Sequence, residues 1–357
     1  MTGRPGVPEK RRDRVELAVD EVAGAWDLGR WEDWHRTPKG STNTSWFVTT
    51  DRGRFVVRIS NPSKTEDGMA REVALLEHLR ARRFPAPVVV PSRAGDGWGR
   101  VGGALCLVTE RLPGSFPDLG DPGHLAESAR ALARFHQEGR HLPEPARPTL
   151  GSELGLLGEG PALLARADEL IAGLVGPEGR GRWSRARSAL EPAFAEVGAL
   201  RSGNGALPHM VTHGSLGVSA VLFEGPRLTG ILDYERAAHE LRALDLAYAL
   251  RALTRRPKEE PGAFDLPRFG VFLAAYQQVE ALAPGEAERL PQVLRAQRLL
   301  KVAGKTANLV AKHATVPQQE KDAFKLIETL ELELPRLRWL EEHEGELMAA
   351  ADPGQAR

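Results

Sequence analysis

Most strand-like segments of this 357-residue chain lie in its first third, and helical patterns fill most of the rest. The early strand-like runs are residues 45–50, 54–59, 87–91 and 104–110. The first two flank Asp51-Arg52-Gly53, a short glycine-containing connection that predicts a β-hairpin. Strands gathered ahead of helices favour an α+β fold, because a parallel α/β sheet requires the two to alternate.

Helical periodicity occurs at residues 12–28 and 66–82 and then dominates the chain. The later predicted helices are 125–138, 161–173, 183–197, 244–253, 266–281, 288–315 and 318–344. The predicted organisation is a disordered N-terminus over 1–11, a small sheet-containing lobe over 12–114, a large helical lobe over 115–348 and a frayed tail over 349–357. A cleft between two such lobes is the expected ligand site.

The charge balance argues against two large classes of partner. Forty-eight Lys and Arg residues are matched by 48 Asp and Glu residues, so no net field attracts nucleic acid or an anionic membrane. No uncharged run approaches the ~20 residues that a membrane span needs. The single cysteine, Cys106, fits a reducing compartment and is expected to be a buried hydrophobic residue. These features predict a cytoplasmic protein.

An apolar run at 228–232 ends directly before Asp233. A carboxylate at the end of such a strand can hold Mg²⁺ against nucleotide phosphates, although an aspartate there can also cap a turn. Glu235 either assists the metal or only lines the mouth of the site. For Asp245, which precedes a helical pattern, we favour a structural role as a helix cap or an anchor of the preceding loop. His136 is expected to be a core histidine.

A small polar loop at 40–46 can bring backbone N–H groups to a triphosphate, with an ordinary hairpin turn as the alternative. Arg58 on the next strand can reach phosphate oxygens, and Glu72 on the following helix can hold it as a charge-assisted pair. Two unrelated surface charges are the alternative for this pair. The expected nucleotide-binding residues are Ser41, Thr42, Asn43, Thr44, Arg58, Glu72 and Glu110.

Four segments in a fixed order carry a family resemblance. They are Gly40 to Thr50 with Phe55 to Ile59, Arg71-Glu72-Val73-Ala74-Leu75-Leu76, Val211 to Phe223, and Ile231 to Ala237 followed by Asp245-Leu246-Ala247. The set resembles the aminoglycoside phosphotransferase and choline kinase superfamily, and its hairpin resembles that of bacterial homoserine kinases. The resemblance implies a bilobal, protein-kinase-like fold. It also implies binding of ATP or another nucleoside triphosphate with Mg²⁺ and a catalytic-loop region at 211–247.

The resemblance exposes two departures in the catalytic loop. The family has an aspartate that accepts the proton of the substrate hydroxyl where this chain has Ser215, and a metal-binding asparagine where it has Ala220. Serine cannot accept a proton at neutral pH, and alanine has no ligand atom. His213 matches the loop histidine of the family, which is expected to be architectural. A catalytic role for His213 or Glu235 is the alternative.

Loss of the base removes a catalyst worth on the order of 10²–10⁴-fold in rate. Because positioning and charge neutralisation carry much of phosphoryl transfer, such a loss does not by itself abolish it. We favour a pseudokinase that binds nucleotide and acts as a partner or regulator in a biosynthetic pathway. One alternative is a non-standard phosphotransferase acting on a hydroxyl of a small molecule or peptide, for example beside a lyase partner. The other is nucleotidyl transfer.

The acceptor side differs from the family as well. Glu240 and Arg242 place charges where the family has small residues or proline, and we expect them to form a charge pair that alters this side. The sequence identifies neither the acceptor substrate nor a protein partner.

Overall fold

A computed structural model describes residues 20–37, 43–149, 153–202, 207–255, 263–313 and 318–351. The predictions for residues 1–11, Ser41 and Thr42 lie outside these ranges. The chain divides into two compact units. The strand unit comprises Met1–Ser115, Leu142–Pro148 and Leu222–Glu235, and the helical unit comprises Phe116–His141, Thr149–Val221 and Arg236–Arg357. This mixed content confirms the α+β class.

The strand unit is built on an antiparallel five-stranded sheet with the order β1-β2-β3-β5-β4. Its strands are β1 Trp31–Arg36, β2 Thr44–Thr50, β3 Gly53–Ile59, β4 Gly99–Val101 and β5 Ala104–Glu110. The predicted hairpin is confirmed, since Thr50 pairs with Gly53 at the end of β2 and β3. Sequence periodicity missed β1 because this edge strand is almost entirely exposed and lacks an apolar face.

The predicted strand at 87–91 is wrong. This segment forms only an isolated bridge between Val89 and Thr109, without a regular ladder of its own. Two backbone hydrogen bonds join the run to β5, from the Val90 N–H to the Val108 carbonyl and from the Glu110 N–H to the Val88 carbonyl, but Pro87 and Pro91 lack the N–H that would extend the ladder.

Two helices complete the core of the strand unit. Residues 20–25 are the described part of α1, and α2 spans Glu66–Ala81. The cap of α2 is Thr65, whose hydroxyl accepts a hydrogen bond from the Gly68 N–H at 3.1 Å. Cys106 is fully buried in this core, and burial raises the pKa of its thiol to about 12. The expectation of a buried, hydrophobic cysteine is confirmed.

Residues 222–235 belong to the strand unit, although the sequence analysis assigned the whole 211–247 region to the helical lobe. This segment contains most of a hairpin formed by β7 Val221–Glu224 and β8 Arg227–Ile231. Reciprocal backbone hydrogen bonds join Ser115 to Phe223, and the Ile231 N–H donates to the Pro85 carbonyl at 2.8 Å. These long-range bonds have no signature in the local sequence pattern.

The helical unit contains eight helices and one short sheet among its described residues. The helices are α3 Pro122–Gly139, α4 Glu153–Leu174, α5 Pro177–Ser202, α6 Arg242–Thr254, α7 Leu266–Gln277, α8 Glu286–His313, α9 Glu320–Glu342 and α10 Glu344–Ala351. Helix α8 packs against α4, α6 and α9. Strand β6, His209–Thr212, pairs with β9, Ala238–Leu241, and both strands contact α6.

Of the predicted frayed tail, residues 352–357 lie outside the described ranges. Residues 349–351 form the last turn of α10, where Ala351 is buried and its carbonyl accepts a hydrogen bond from the Gln277 amide at 3.1 Å. Within the described ranges, no helix combines the length and the apolar character needed to cross a membrane.

Candidate functional site

Arg58 and Glu72 form the expected ion pair in the strand unit, and the pair is buried. Arg58 NH1 on β3 lies 2.7 Å from Glu72 Oε1 on α2, and the Glu72 side chain is only 3% exposed. Burial alone would oppose ionisation of Glu72, but Arg58 and Lys64 outweigh it and lower the pKa of Glu72 below its ordinary value. The pair is therefore charged, and the alternative of unrelated surface charges is wrong.

Lys64 is a second cation at this site that sequence reasoning missed. Its Nζ lies 2.9 Å from Glu72 Oε2, and its side chain is 19% exposed. The only sequence signal is that Lys64 directly precedes Thr65, the cap of α2. Arg58 and Lys64 thus share the single carboxylate of Glu72, so these three side chains together carry an excess positive charge.

The remaining donors of Arg58 are unused. Its Nε and NH2 atoms are buried and make no hydrogen bond to any described residue. A buried donor without a partner costs about 1–3 kcal/mol. Such donors suit an oxyanion, because a guanidinium binds phosphate or carboxylate oxygens through paired N–H groups.

Asp233 follows β8 in a left-handed backbone conformation, with φ of 66°. This conformation costs a residue other than glycine about 1–3 kcal/mol and is concentrated at functional sites. Burial within the loop, and next the charge of Glu235, raise the pKa of Asp233 to about 6, although Arg58 acts in the opposite direction. The side chain is nevertheless solvent-exposed, so water screens part of this effect on stability.

The residues around Asp233 fit a divalent cation that is shared with phosphates. The negative charges of Glu72, Glu235 and Asp233 favour the charged form of Arg58. The charges of Glu235 and Glu72 oppose ionisation of Asp233. A cation would relieve the repulsion that raises the Asp233 pKa. Among the described residues, no group of three or more His, Cys, Asp or Glu side chains could enclose a metal by itself. Asp233 and Glu235 are the carboxylates that could contact such a cation.

Asn43 connects the polar loop to Glu235. The Asn43 amide donates a short hydrogen bond to Glu235 Oε2, and its carbonyl oxygen accepts from the Asn61 N–H at 2.9 Å. Thr44 is the first residue of β2 and pairs with Ile59. Glu235 is thus engaged by the loop in this structure, which favours a positioning role for it over that of a base.

Glu110 lies apart from the Arg58 cluster. It is exposed at the end of β5, where it pairs with Phe55, whereas Arg58 pairs with Leu107 three residues earlier. Three residues along a strand correspond to about 10 Å. The structure therefore does not bring Glu110 to Arg58.

Asp245 anchors the catalytic loop of the helical unit. Its Oδ2 accepts from the His213 N–H at 2.7 Å, and its Oδ1 accepts from the Gly214 N–H at 2.9 Å. His136 Nε2 also lies 3.0 Å from Oδ2, and His136 Nδ1 lies 2.6 Å from the Tyr276 hydroxyl. Burial opposes the charge of Asp245, but hydrogen bonding to His136 and the nearby histidines lower its pKa. The structural roles expected for Asp245 and His136 are confirmed.

The loop backbone requires glycine at position 214. Gly214 has φ of 73°, and a Cβ there would lie 2.6 Å from the Arg236 carbonyl oxygen. His213 is fully buried with its ring edge against Phe135, and its Nδ1 lies 3.3 Å from both the backbone nitrogen and the hydroxyl of Ser215. These contacts favour an architectural His213. Ala220 is also fully buried and offers only a methyl group.

A cavity of about 190 Å³ lies wholly in the helical unit and borders Gly214. Its lining residues are Glu153, Thr212, Gly214, Arg236, Ala238, Glu240, Leu244, Asp245, Tyr248 and Gln297. Burial, and next the charges of Glu240 and Asp245, raise the pKa of Glu153 against the opposing charge of Arg236, which lies 3.1 Å away. Burial likewise raises the pKa of Glu240. The cavity therefore holds carboxylates that would be stabilised by a cation.

The expected charge pair between Glu240 and Arg242 is wrong. Arg242 NH1 lies 2.6 Å from Glu280, and its Nε lies 3.0 Å from Glu286, so α6 is bound to the region around α7 and α8. Glu240 instead accepts from the Leu241 and Glu153 N–H groups and lines the cavity. Glu240 lies in β9, which ends at Leu241, whereas Arg242 begins α6, so the two side chains do not share one strand face.

Comparison with known proteins agrees with this geometry. A family model described as "Phosphotransferase enzyme family" matches residues 33–282. The chain is 31% identical to a homoserine kinase of Pseudomonas aeruginosa over 279 residues, covering 78% of this chain and 81% of that kinase. It is 29% identical to a homoserine kinase of Acidiphilium cryptum over 288 residues, covering 79% and 83%.

Solved structures show the same fold. A microcompartment-associated aminopropanol kinase superposes with a TM-score of 0.65 at 16% identity, covering 92% of this chain and 97% of that one. An aminoglycoside phosphotransferase from Alicyclobacillus acidocaldarius gives a TM-score of 0.62 at 17% identity, covering 97% and 98%. The family model and the sequence relatives together establish that this chain belongs to the phosphotransferase enzyme family.

Proposed function

We propose that the strand unit binds a nucleoside triphosphate with Mg²⁺ and that the chain is a degenerate kinase, acting as a nucleotide-binding partner or regulator. The observation that carries this proposal is the pair of unused, buried donors on Arg58. They lie on a side chain fixed by Glu72 and accompanied by Lys64. Phosphate oxygens are the acceptors that match a fixed guanidinium beside an ammonium group.

Asp233 would hold Mg²⁺ in this arrangement, with Glu235 near it. The metal supplies neutralisation of the phosphate charge when it is bound. The strained backbone of Asp233 and its raised pKa are costs for the free protein, and both support a role in cation binding. Arg58 and Lys64 would fix the phosphates while Asn43 positions Glu235.

Phosphoryl transfer to an acceptor hydroxyl is expected to be slow because of the chemistry of Ser215. Its hydroxyl can orient an acceptor group but cannot remove a proton from it at neutral pH. The nearest imidazole, His213, is buried and anchored through its backbone by Asp245, so it is poorly suited to replace the missing base. Ala220 removes a metal ligand at the same time. Both losses favour nucleotide binding over rapid turnover.

The cavity in the helical unit favours a second candidate, a working phosphotransferase with a small acceptor that carries a hydroxyl and an amine. Glu153 and Glu240 have pKa values raised by burial, and an ammonium group would stabilise their ionised forms. The names of two relatives, homoserine kinase and aminopropanol kinase, describe acceptors of this chemical kind. Four further points stay predictions: a peptide acceptor, nucleotidyl transfer, a protein partner and a cytoplasmic location.

Isothermal titration calorimetry with ATP, with and without Mg²⁺, tests nucleotide binding. We expect binding that strengthens with Mg²⁺ in the native chain and loses this dependence in Asp233→Asn. Asp96→Asn is the matched control, because Asp96 is an exposed aspartate of the same unit. Absence of any ATP affinity at millimolar nucleotide would eliminate both candidate functions.

A turnover assay separates the two candidates. ADP release is measured with homoserine and with 1-amino-2-propanol as acceptors, for the native chain and for Glu240→Gln. Acceptor-dependent release that is weakened by Glu240→Gln supports the working phosphotransferase. Nucleotide binding without acceptor-dependent release supports the regulator.

A further inference from the structure

Three helices of the helical unit bring an excess of cations together, apart from the residues used above. Helix α6 and the position after it supply two arginines, α8 supplies an arginine and a lysine, and α9 supplies an arginine and a carboxylate. These residues are Arg251, Arg255, Arg298, Lys301, Arg336 and Glu333. Five cations thus share one carboxylate among the residues that the structure describes.

Glu333 is already committed to three of these cations. Its Oε1 lies 2.6 Å from Arg336 NH1 and 2.8 Å from Lys301 Nζ, and its Oε2 lies 3.9 Å from Arg298 NH1. The Glu333 side chain has no exposed surface. Glu333 Oε2 makes no hydrogen bond to a described residue, and the charge of Glu333 also acts on Arg251, so four of the five cations share this one carboxylate.

Arg251 has no acidic partner within ion-pair distance in the described parts of the chain. Its guanidinium lies over the Tyr248 ring, 4.8 Å from the ring centre. The Nε atoms of Arg251 and Arg336 are buried and make no hydrogen bond to the described residues. These two unpaired buried donors outnumber the one unpaired buried acceptor of the cluster, Glu333 Oε2, and therefore point to a further acceptor.

The energetics of the cluster agree with this geometry. Burial lowers the pKa of Arg298 to about 10, and the charges of Arg251, Arg336 and Arg255 contribute to the decrease despite the opposing effect of Glu333. Arg298 is only 6% exposed. Burying like charges together is unfavourable unless an opposite charge compensates them.

We propose that Arg251, Arg298 and Arg336 form a binding site for an oxyanion, supplied by a phosphate or a carboxylate group. Arginine suits both groups because its planar donors match paired oxygens. Tyr248 lines the cavity described above and also stacks with Arg251. The site therefore adjoins that cavity through Tyr248 and is formed by residues of the helical unit.

The test measures the melting temperature of the full chain in phosphate, in acetate and in chloride at equal ionic strength. A saturable rise in phosphate or acetate over chloride is expected, because a ligand that binds only the folded state stabilises it. The salt that produces the rise identifies the source of the oxyanion as phosphate or carboxylate. No rise in either salt overturns the proposal.

Variants place the effect at the cluster. Arg298→Met and Arg251→Gln should abolish the anion-dependent rise, whereas Arg338→Gln, an exposed arginine on the same helix as Arg336, should retain it. In chloride, the two cluster variants should melt at or above the native temperature, since each removes repulsion. A purely structural cluster would give the opposite result, with lower melting temperatures in chloride.

One further variant excludes binding in the strand unit. Phosphate could also bind near Arg58 and Lys64, so the anion series is repeated with Lys64→Met. Retention of the rise in Lys64→Met together with its loss in Arg251→Gln supports the site. Loss in Lys64→Met with retention in Arg251→Gln and Arg298→Met overturns it.

Discussion

His136 Nε2 lies 3.0 Å from Asp245 Oδ2, and neither side chain has exposed surface. This contact joins α3 to the first turn of α6, and the same carboxylate accepts the N–H groups of His213 and Gly214. The geometry of the catalytic loop therefore depends on one buried aspartate and not on the loop sequence alone.

Replacing Asp245 with alanine should destabilise the fold by about 3 kcal/mol or more, because His136 and two backbone donors lose their acceptor. Urea unfolding measures the change. Asp265→Ala, which removes the cap of α7, serves as the control and should cost only about 1 kcal/mol. Equal losses in the two variants would contradict the anchoring role.

Replacing Lys64 with methionine should weaken ATP binding by about tenfold, because a charged contact to phosphate is lost. The Arg58–Glu72 pair remains in this variant, so the fold should persist. Calorimetry with ATP and Mg²⁺ gives the affinity. Lys305→Met, on an exposed face of α8, should bind as the native chain does. Unchanged affinity in Lys64→Met would remove this lysine from the nucleotide site.

The raised pKa of Asp233 predicts a pH dependence with a definite sign. A carboxyl whose pKa is about 6 in the folded state and ~3.9 when unfolded contributes stability below the lower value, and this contribution is lost as pH rises through 6. Asp233→Asn should therefore stabilise the nucleotide-free protein at pH 7.5 by roughly 1 kcal/mol after allowance for solvent screening. Asparagine also tolerates the left-handed conformation.

Melting temperatures of the native and Asp233→Asn proteins at pH 7.5 and at pH ~4 test this sign. The difference between them should shrink at the lower pH, where native Asp233 is protonated. Mg²⁺-dependent ATP binding by the native chain should weaken below pH ~6 for the same reason, since protons compete with the metal. A difference that grows on acidification would contradict the raised pKa.

Restoring the family residues in the catalytic loop should raise ATP turnover if the site lacks only the catalytic base and the metal-binding amide. Ser215→Asp is the cleaner change, because Ser215 is partly exposed. Ala220→Asn inserts an amide at a fully buried position and should cost about 1–3 kcal/mol of stability. The single and double variants are therefore compared by ADP release and by urea unfolding together.

Turnover on the order of 10²–10⁴-fold higher in Ser215→Asp would show that only a base is missing. Ser219→Asp, on an exposed neighbour in the same loop, is the matched control and should leave turnover unchanged. Unchanged turnover in Ser215→Asp, with a folded protein, would instead favour an adapted chemistry.

The sequence by itself determined the features that depend on local pattern. The hairpin at Asp51 and Arg52, the helical periods and the ordered family segments predicted the α+β fold and the Arg58–Glu72 pair, although not its burial. Local pattern was insufficient for β1, whose exposed edge has no apolar alternation, and for 87–91, where prolines interrupt an apolar run.

Only the tertiary structure decided which distant residues meet. It placed Lys64 on Glu72, directed Arg242 to Glu280 and Glu286 instead of pairing it with Glu240, and left Glu110 away from Arg58. It also showed the left-handed backbone of Asp233. The physical reason is that charges pair according to distance and burial in three dimensions, and neither quantity is encoded in the spacing of residues along one chain.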